Sequence, residues 1–150
     1  MLLDLDGFKG INDTYGHAAG DEVLYHASDV LSNFFGDECC YRFGGDEFLV
    51  VCADTSQEEF MQGIERIRTD FGKIHVNKQM AKVGFSAGYV FGNSEHYTDL
   101  RLMFRQADEL MNNAKKSEGN HCCGDSFDRA KAQSLKKHGE DSDESLIETV

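Results

Sequence analysis

A chain of 150 residues with 40% hydrophobic and 11% aromatic content is long enough to bury one core and too short for two ordinary domains. Its formal net charge of −12, unrelieved by any basic patch, repels phosphate backbones and anionic lipid surfaces, which excludes nucleic acid and membrane as partners of this domain. No apolar run reaches the length of a membrane span, so a soluble, cytoplasmic domain is expected, and five cysteines without a Cys-x-x-Cys pair read as reduced thiols rather than a zinc set.

Met1 to Asp6 is an apolar run closing in acids, expected to be the end of a buried strand whose beginning lies outside the sequence. Phe8 to Tyr15 can form a short helix. A longer one follows Gly20, with Val23, Leu24, Ala27, Val30, Leu31 and Phe34 on one face and a stop near Gly36. Cys39 to Phe43 and Glu47 to Cys52 are β-rich runs around Gly44-Gly45-Asp46, a sequence that tolerates the positive φ values of a tight hairpin.

Ser56 and Glu59 make a capping box ahead of a helix whose buried stripe is Phe60, Ile64, Ile67 and Phe71. Ala81 to Phe91 alternates Val83, Phe85, Ala87, Tyr89 and Phe91 as a strand, and Thr98 to Lys116 is a helix carrying Leu100, Phe104, Ala107, Met111 and Ala114 inward. The polar composition from Asp125 onward divides the chain into a domain of residues 1–123 and a flexible acidic tail of 124–150, with room for a short helix. The order βαββαβ predicts an α+β sandwich, a ferredoxin-like or palm-type sheet with antiparallel pairs and flanking helices.

No Gly-x-x-x-x-Gly-Lys-Ser/Thr loop and no Gly-x-Gly-x-x-Gly turn occurs, so a phosphate site must be built otherwise. The acids at Asp4 and Asp6 begin like a calcium loop, but Lys9 stands where that loop needs Gly and Tyr15 where it needs Glu. Asp4 at the end of the first strand and Asp46 in the turn instead put two carboxylates from neighbouring strands within reach of one hard cation such as Mg²⁺. The helix after Asp6 aims its first N–H groups, around Phe8 and Lys9, at phosphate oxygens in the same place. Each feature alone also suits an exposed strand end or a plain turn; their order and spacing together favour a site.

Arg42-Phe43-Gly44-Gly45-Asp46-Glu47-Phe48 reproduces the signature of the GGDEF family, which the chain resembles across residues 1–123. Asp4-Leu5-Asp6-Gly7-Phe8-Lys9-Gly10-Ile11-Asn12-Asp13-Thr14-Tyr15-Gly16-His17 with Gly20-Asp21 resembles that family's opening block, and Ser86-Ala87-Gly88, Ala107-Asp108 and Ala114-Lys115 its later landmarks. The resemblance implies a fold similar to nucleotide cyclase catalytic domains and a diguanylate cyclase that condenses two GTP into cyclic di-GMP as a homodimer. It implies Mg²⁺ or Mn²⁺ held by Asp4, the Leu5 carbonyl and Asp46, with Asn12 and Asp21 reading guanine. A carboxylate at Asp21 accepts both Watson–Crick-edge donors of guanine, which adenine does not present. Phe8, Lys9, Arg42, Gly44, Gly45 and Lys115 would border the triphosphate, and Glu47, with Asp46, would help the 3′-hydroxyl attack. A sensory domain upstream and a membrane-tethered full-length protein are further expectations of the resemblance.

Departures from the pattern are specific. Gly119 stands where the family has a phosphate-binding Arg, and one lost charge-assisted contact is worth roughly 1.5 to 3 kcal/mol, or about one to two powers of ten in affinity. Asn112 replaces a tyrosine, the family's Asp-x-Leu-Thr segment is not in the sequence, and Phe35-Gly36-Asp37-Glu38 stands where relatives carry an inhibitory Arg-x-x-Asp, implying no product inhibition there. Gly119 and the missing Asp-x-Leu-Thr segment motivate a second reading, a weakened GGDEF domain that binds GTP as a regulatory module.

Overall fold

A computed structural model describes residues 1–76, 79–80, 83–117 and 121–135. The central strand β1 (Leu2–Asp6) leads into α1 (Phe8–Tyr15) and α2 (His17–Phe35), and a single 3-10 turn (Asp37–Cys39) enters the hairpin β2 (Cys40–Arg42) and β3 (Glu47–Val50). Next come α3 (Gln57–Phe71), a two-stranded ribbon β4 (His75–Val76) and β5 (Gln79–Met80), then β6 (Gly84–Phe91), α4 (Tyr97–Lys116), β7 (Cys122–Ser126) and α5 (Arg129–Ser134). The main sheet runs β2-β3-β1-β6-β7, with β1 antiparallel to both its neighbours and β7 parallel to β6. The expected α+β sandwich is therefore the observed one.

Alternation along β1 sorts the layers. Leu3 and Leu5 join Phe48, Val50, Phe85 and Ala87 beneath Val23, Ala27 and Leu31 of α2 and Ile67 and Phe71 of α3. Leu2 points the other way, onto Ala107 and Met111 of α4. Each such Leu, Ile or Phe taken fully out of water contributes about 1.5 to 3 kcal/mol before chain entropy is subtracted. Phe71 and Phe85 meet at a tilt with ring centroids 4.9 Å apart, and the Ser56–Glu59 capping box forms as expected, Ser56 Oγ accepting from the Glu59 N–H. Helix α4 lies so close to β6 that a Cβ on Gly88 would collide with the Ala107 carbonyl and the Met111 amide.

Several expectations are corrected. Helix α2 begins at His17, before Gly20, and Phe34 is 41% exposed, lying over Gly63 of α3 rather than in the core. Leu100 is 50% exposed because the first turn of α4 turns Asp99 inward, where it accepts from the amides of Glu95 and His96 and pairs with Arg129 at 2.5 Å. Neither Gly44 nor Gly45 has a positive φ. The chain after His121 continues the fold: β7 pairs with β6, and buried Gln106 donates to the Ser126 carbonyl (2.9 Å) while accepting from the Asp128 N–H (3.3 Å). Glu118, Gly119 and Asn120, the start of the expected strand at Ala81, and residues 136–150 of the expected tail lie outside the described residues.

Candidate functional site

Register alone brings the acids together. Asp4 of β1 stands directly opposite Glu47 of β3, and the Leu5 N–H donates to the Asp46 carbonyl at 3.1 Å, so the turn is tied to the middle of the sheet. The turn is closed by Arg42, whose Nη2 donates to the Gly45 carbonyl at 2.7 Å and whose Nε reaches the Gly44 and Gly45 carbonyls at 3.2 Å. Arg42 thus shapes the turn through its own carbonyls. Gly44 contributes space: a Cβ there would lie 2.6 Å from Glu47 Oε2.

The acids crowd one another on the α4 face of the sheet. Burial pushes the Asp4 carboxyl above the usual carboxylate range; the Lys115 ammonium pulls it back, and Asp46 and Asp6 push it up again. Burial also raises Glu47, Asp4 adds to the rise, Lys115 opposes it, and Asp46 and Asp108 reinforce it. The ammonium of Lys115, projecting from the end of α4, sits 2.9 Å from Asp4 Oδ2. Sequence reading left out Asp6 and Asp108 as contributors to this field; Asp108 lies seven residues before Lys115, two helical turns along one face of α4, a spacing that carried the signal.

On the side toward α1, Gly7 adopts a left-handed conformation (φ 73°) and no side chain caps the helix. The amides of Phe8 and Lys9 consequently have no acceptor inside α1. The Phe8 side chain itself packs against the core, fixing that end of the helix, while Lys9 is exposed. Asn12 lies against Gly20 of α2, where any Cβ would strike its side-chain oxygen, and Asp21 is the next residue. The absence of a single methyl group at Gly20 is what lets the Asn12 side chain of α1 pack directly on α2, one residue from Asp21.

Among the described residues no group of three or more His, Cys, Asp or Glu side chains is arranged to hold a metal ion. A cation at Asp4 and Asp46 would rest on two carboxylates, a carbonyl and outside ligands, a donor set suited to Mg²⁺, which keeps several waters and borrows phosphate oxygens. Fit is indicated by Lys115, an ammonium already drawn to Asp4, and by Asp6 Oδ2, buried with no hydrogen-bond partner among the described residues. The five cysteines are free thiols, and burial pushes Cys40 and Cys52 up to about 11, which keeps them protonated and unreactive. Among the described residues no helix is long and apolar enough to cross a membrane.

A family model described as "Diguanylate cyclase, GGDEF domain" matches residues 1–121. An uncharacterized membrane protein of Staphylococcus haemolyticus is 36% identical over 124 residues, which is 80% of this chain and 35% of that protein. The chain thus spans about a third of the length of the curated relatives it matches. The active GGEEF domain of a diguanylate cyclase from Vibrio cholerae superimposes with a TM-score of 0.72 at 32% identity, covering 82% of this chain and 79% of that one. The GGDEF domain of DgcB from Caulobacter crescentus, solved with c-di-GMP, shares the fold with a TM-score of 0.73 at 23% identity, over 82% of this chain and 74% of its own.

Proposed function

The chain belongs to the GGDEF domain family, and from that premise we propose that it condenses two GTP into cyclic di-GMP, releasing two pyrophosphates, as a Mg²⁺- or Mn²⁺-dependent homodimer. The observation that carries this reading is the cross-strand pair Asp4–Glu47, with the Leu5 N–H bonded to the Asp46 carbonyl in the adjoining turn. A divalent cation on Asp4, the Leu5 carbonyl and Asp46 would supply charge neutralisation for the phosphates. The amides of Phe8 and Lys9 and the ammonium of Lys115 bind phosphate oxygens; Asn12 and Asp21 orient the base.

Glu47 then takes the proton of a 3′-hydroxyl as that oxygen bonds to the α-phosphorus of the second GTP and pyrophosphate leaves. Burial and neighbouring acids raise Glu47, which makes it a better proton acceptor than an ordinary carboxylate. Most of the acceleration comes from alignment and charge stabilisation. One domain holds one nucleotide, so two copies facing across a two-fold axis complete the reaction. The longer relatives, named membrane proteins, favour a full-length protein tethered to a membrane with an upstream sensory domain and this domain in the cytoplasm.

A second reading, a weakened domain that binds GTP as a regulatory module, is favoured by Gly119 and by Asn112, whose amide turns back to the Asp108 carbonyl of its own helix at 3.0 Å. Incubating the purified chain with GTP and Mg²⁺ beside a Glu47→Gln control separates the two. Cyclic di-GMP formed by the parent and absent from the control supports the enzyme; GTP binding with no product above the control supports the module.

A further inference from the structure

We infer that Asp6, through its hydrogen bond with Ser86, is a positioning residue for the cation that Asp4 and Asp46 are proposed to hold: it keeps the Ser86 hydroxyl off Asp4 and offers its second carboxylate oxygen to the cation's water shell. The inference rests on the reading just proposed and adds two residues to it.

Strand register makes Ser86 of β6 the direct partner of Asp4, whereas Asp6 stands opposite Gly84. Ser86 is only 3% exposed, so its hydroxyl must find an acceptor within the protein. It passes over the acid directly across from it and donates diagonally to Asp6 Oδ1 at 2.8 Å. Had it donated to Asp4, one lone pair of the proposed metal ligand would be permanently occupied. The diagonal bond leaves Asp4 paired with the Lys115 ammonium, which a competing cation can displace.

The other Asp6 oxygen is the second half of the argument. Asp6 Oδ2 is buried and lacks a hydrogen-bond partner among the described residues, an arrangement that costs about 1 to 3 kcal/mol unless something outside the chain supplies a donor. Side chains two apart on a strand share a face, so Asp4 and Asp6 project to the same side of β1. Mg²⁺ retains waters that act as hydrogen-bond donors, and residues that bind a cation only through such groups tune its affinity strongly.

Titration of the full chain with Mn²⁺ alone, without nucleotide, with free Mn²⁺ read by electron paramagnetic resonance, tests this. Asp6→Asn keeps an oxygen for Ser86, and Ser86→Ala changes no charge, so a loss in both is not a simple field effect. Both variants are expected to bind Mn²⁺ roughly tenfold more weakly than the parent, with the folded circular dichroism spectrum retained. Should Asp6→Asn not fold, Ser86→Ala alone decides. Parent and variants binding Mn²⁺ equally overturns this inference and leaves the proposed cyclase standing; a parent that binds no Mn²⁺ alone but forms cyclic di-GMP from GTP overturns this inference only, and a parent that does neither overturns both.

Discussion

Lys115 Nζ, at the end of α4, lies 2.9 Å from Asp4 Oδ2 in the central strand, which places an ammonium on the acid proposed to hold a divalent ion. On the proposed reading Lys115 has two tasks: it offsets the charge of the acid cluster, and it would turn to phosphate oxygens once a divalent ion is held by Asp4.

Replacing it by methionine should separate those tasks. With side chains 35% and 16% exposed, the pair is partly screened and contributes about 1 kcal/mol or less to stability. Loss of a charge-assisted phosphate contact costs more, so Lys115→Met is expected to weaken GTP binding about tenfold or more with little change in the urea midpoint. Isothermal titration with GTP and Mg²⁺ checks it; unchanged affinity would remove Lys115 from the substrate site.

Asp4 and Glu47 set a pH dependence. Both carboxyls are raised by burial, so the folded protein binds more protons than the unfolded chain just above the ordinary carboxylate range. Stability from these groups is fully present below the unfolded pKa, about 4, and is lost as pH rises through their raised folded values. The proposed divalent cation would bind deprotonated Asp4, and its charge beside Glu47 should restore part of the loss. The thermal midpoint is expected to rise with Mg²⁺ at pH 7.5 and scarcely at pH 4; equal shifts at both would place the ion elsewhere.

Gly20 should govern the proposed guanine contact of Asn12 without touching the acids. Gly20→Ala pushes the Asn12 side chain out of its place, so KM for GTP is expected to rise about tenfold, the worth of one or two hydrogen bonds, with kcat changed less. A fall confined to kcat would show that Asn12 does not read the base.

Gly88 is the structural counterpart. A methyl group there meets the backbone of α4 at Ala107 and Met111, and Gly88→Ala is expected to cost about 1 to 3 kcal/mol in urea unfolding. Neutral behaviour would mean that α4 packs farther from β6 than described.

Much of this was legible in the sequence because local chemistry and tertiary context agree. The limits of α1, the Ser56–Glu59 box and its stripe, and the acids flanking the Gly-Gly turn all follow from residues close in sequence. Strand β7 was hidden: Cys-Cys-Gly-Asp-Ser has no alternation and is extended only because β6 and Gln106 supply its partners from far away. Leu100 was misread because a buried acid, Asp99, takes the inward position that hydrophobic spacing assigned to leucine. The Asp6–Ser86 bond joins residues 80 apart and depends on strand register, which the motif cannot reveal.

The central claim is that Asp4 and Asp46 share one divalent ion with the triphosphate. A crystal of the protein with Mn²⁺ and a non-hydrolysable GTP analogue, measured at the manganese edge, tests it directly. The account predicts an anomalous peak in contact with both carboxylates and the analogue's phosphates, with Lys115 withdrawn from Asp4. A peak elsewhere, or a bound analogue with Lys115 still on Asp4 and no ion beside it, would contradict it.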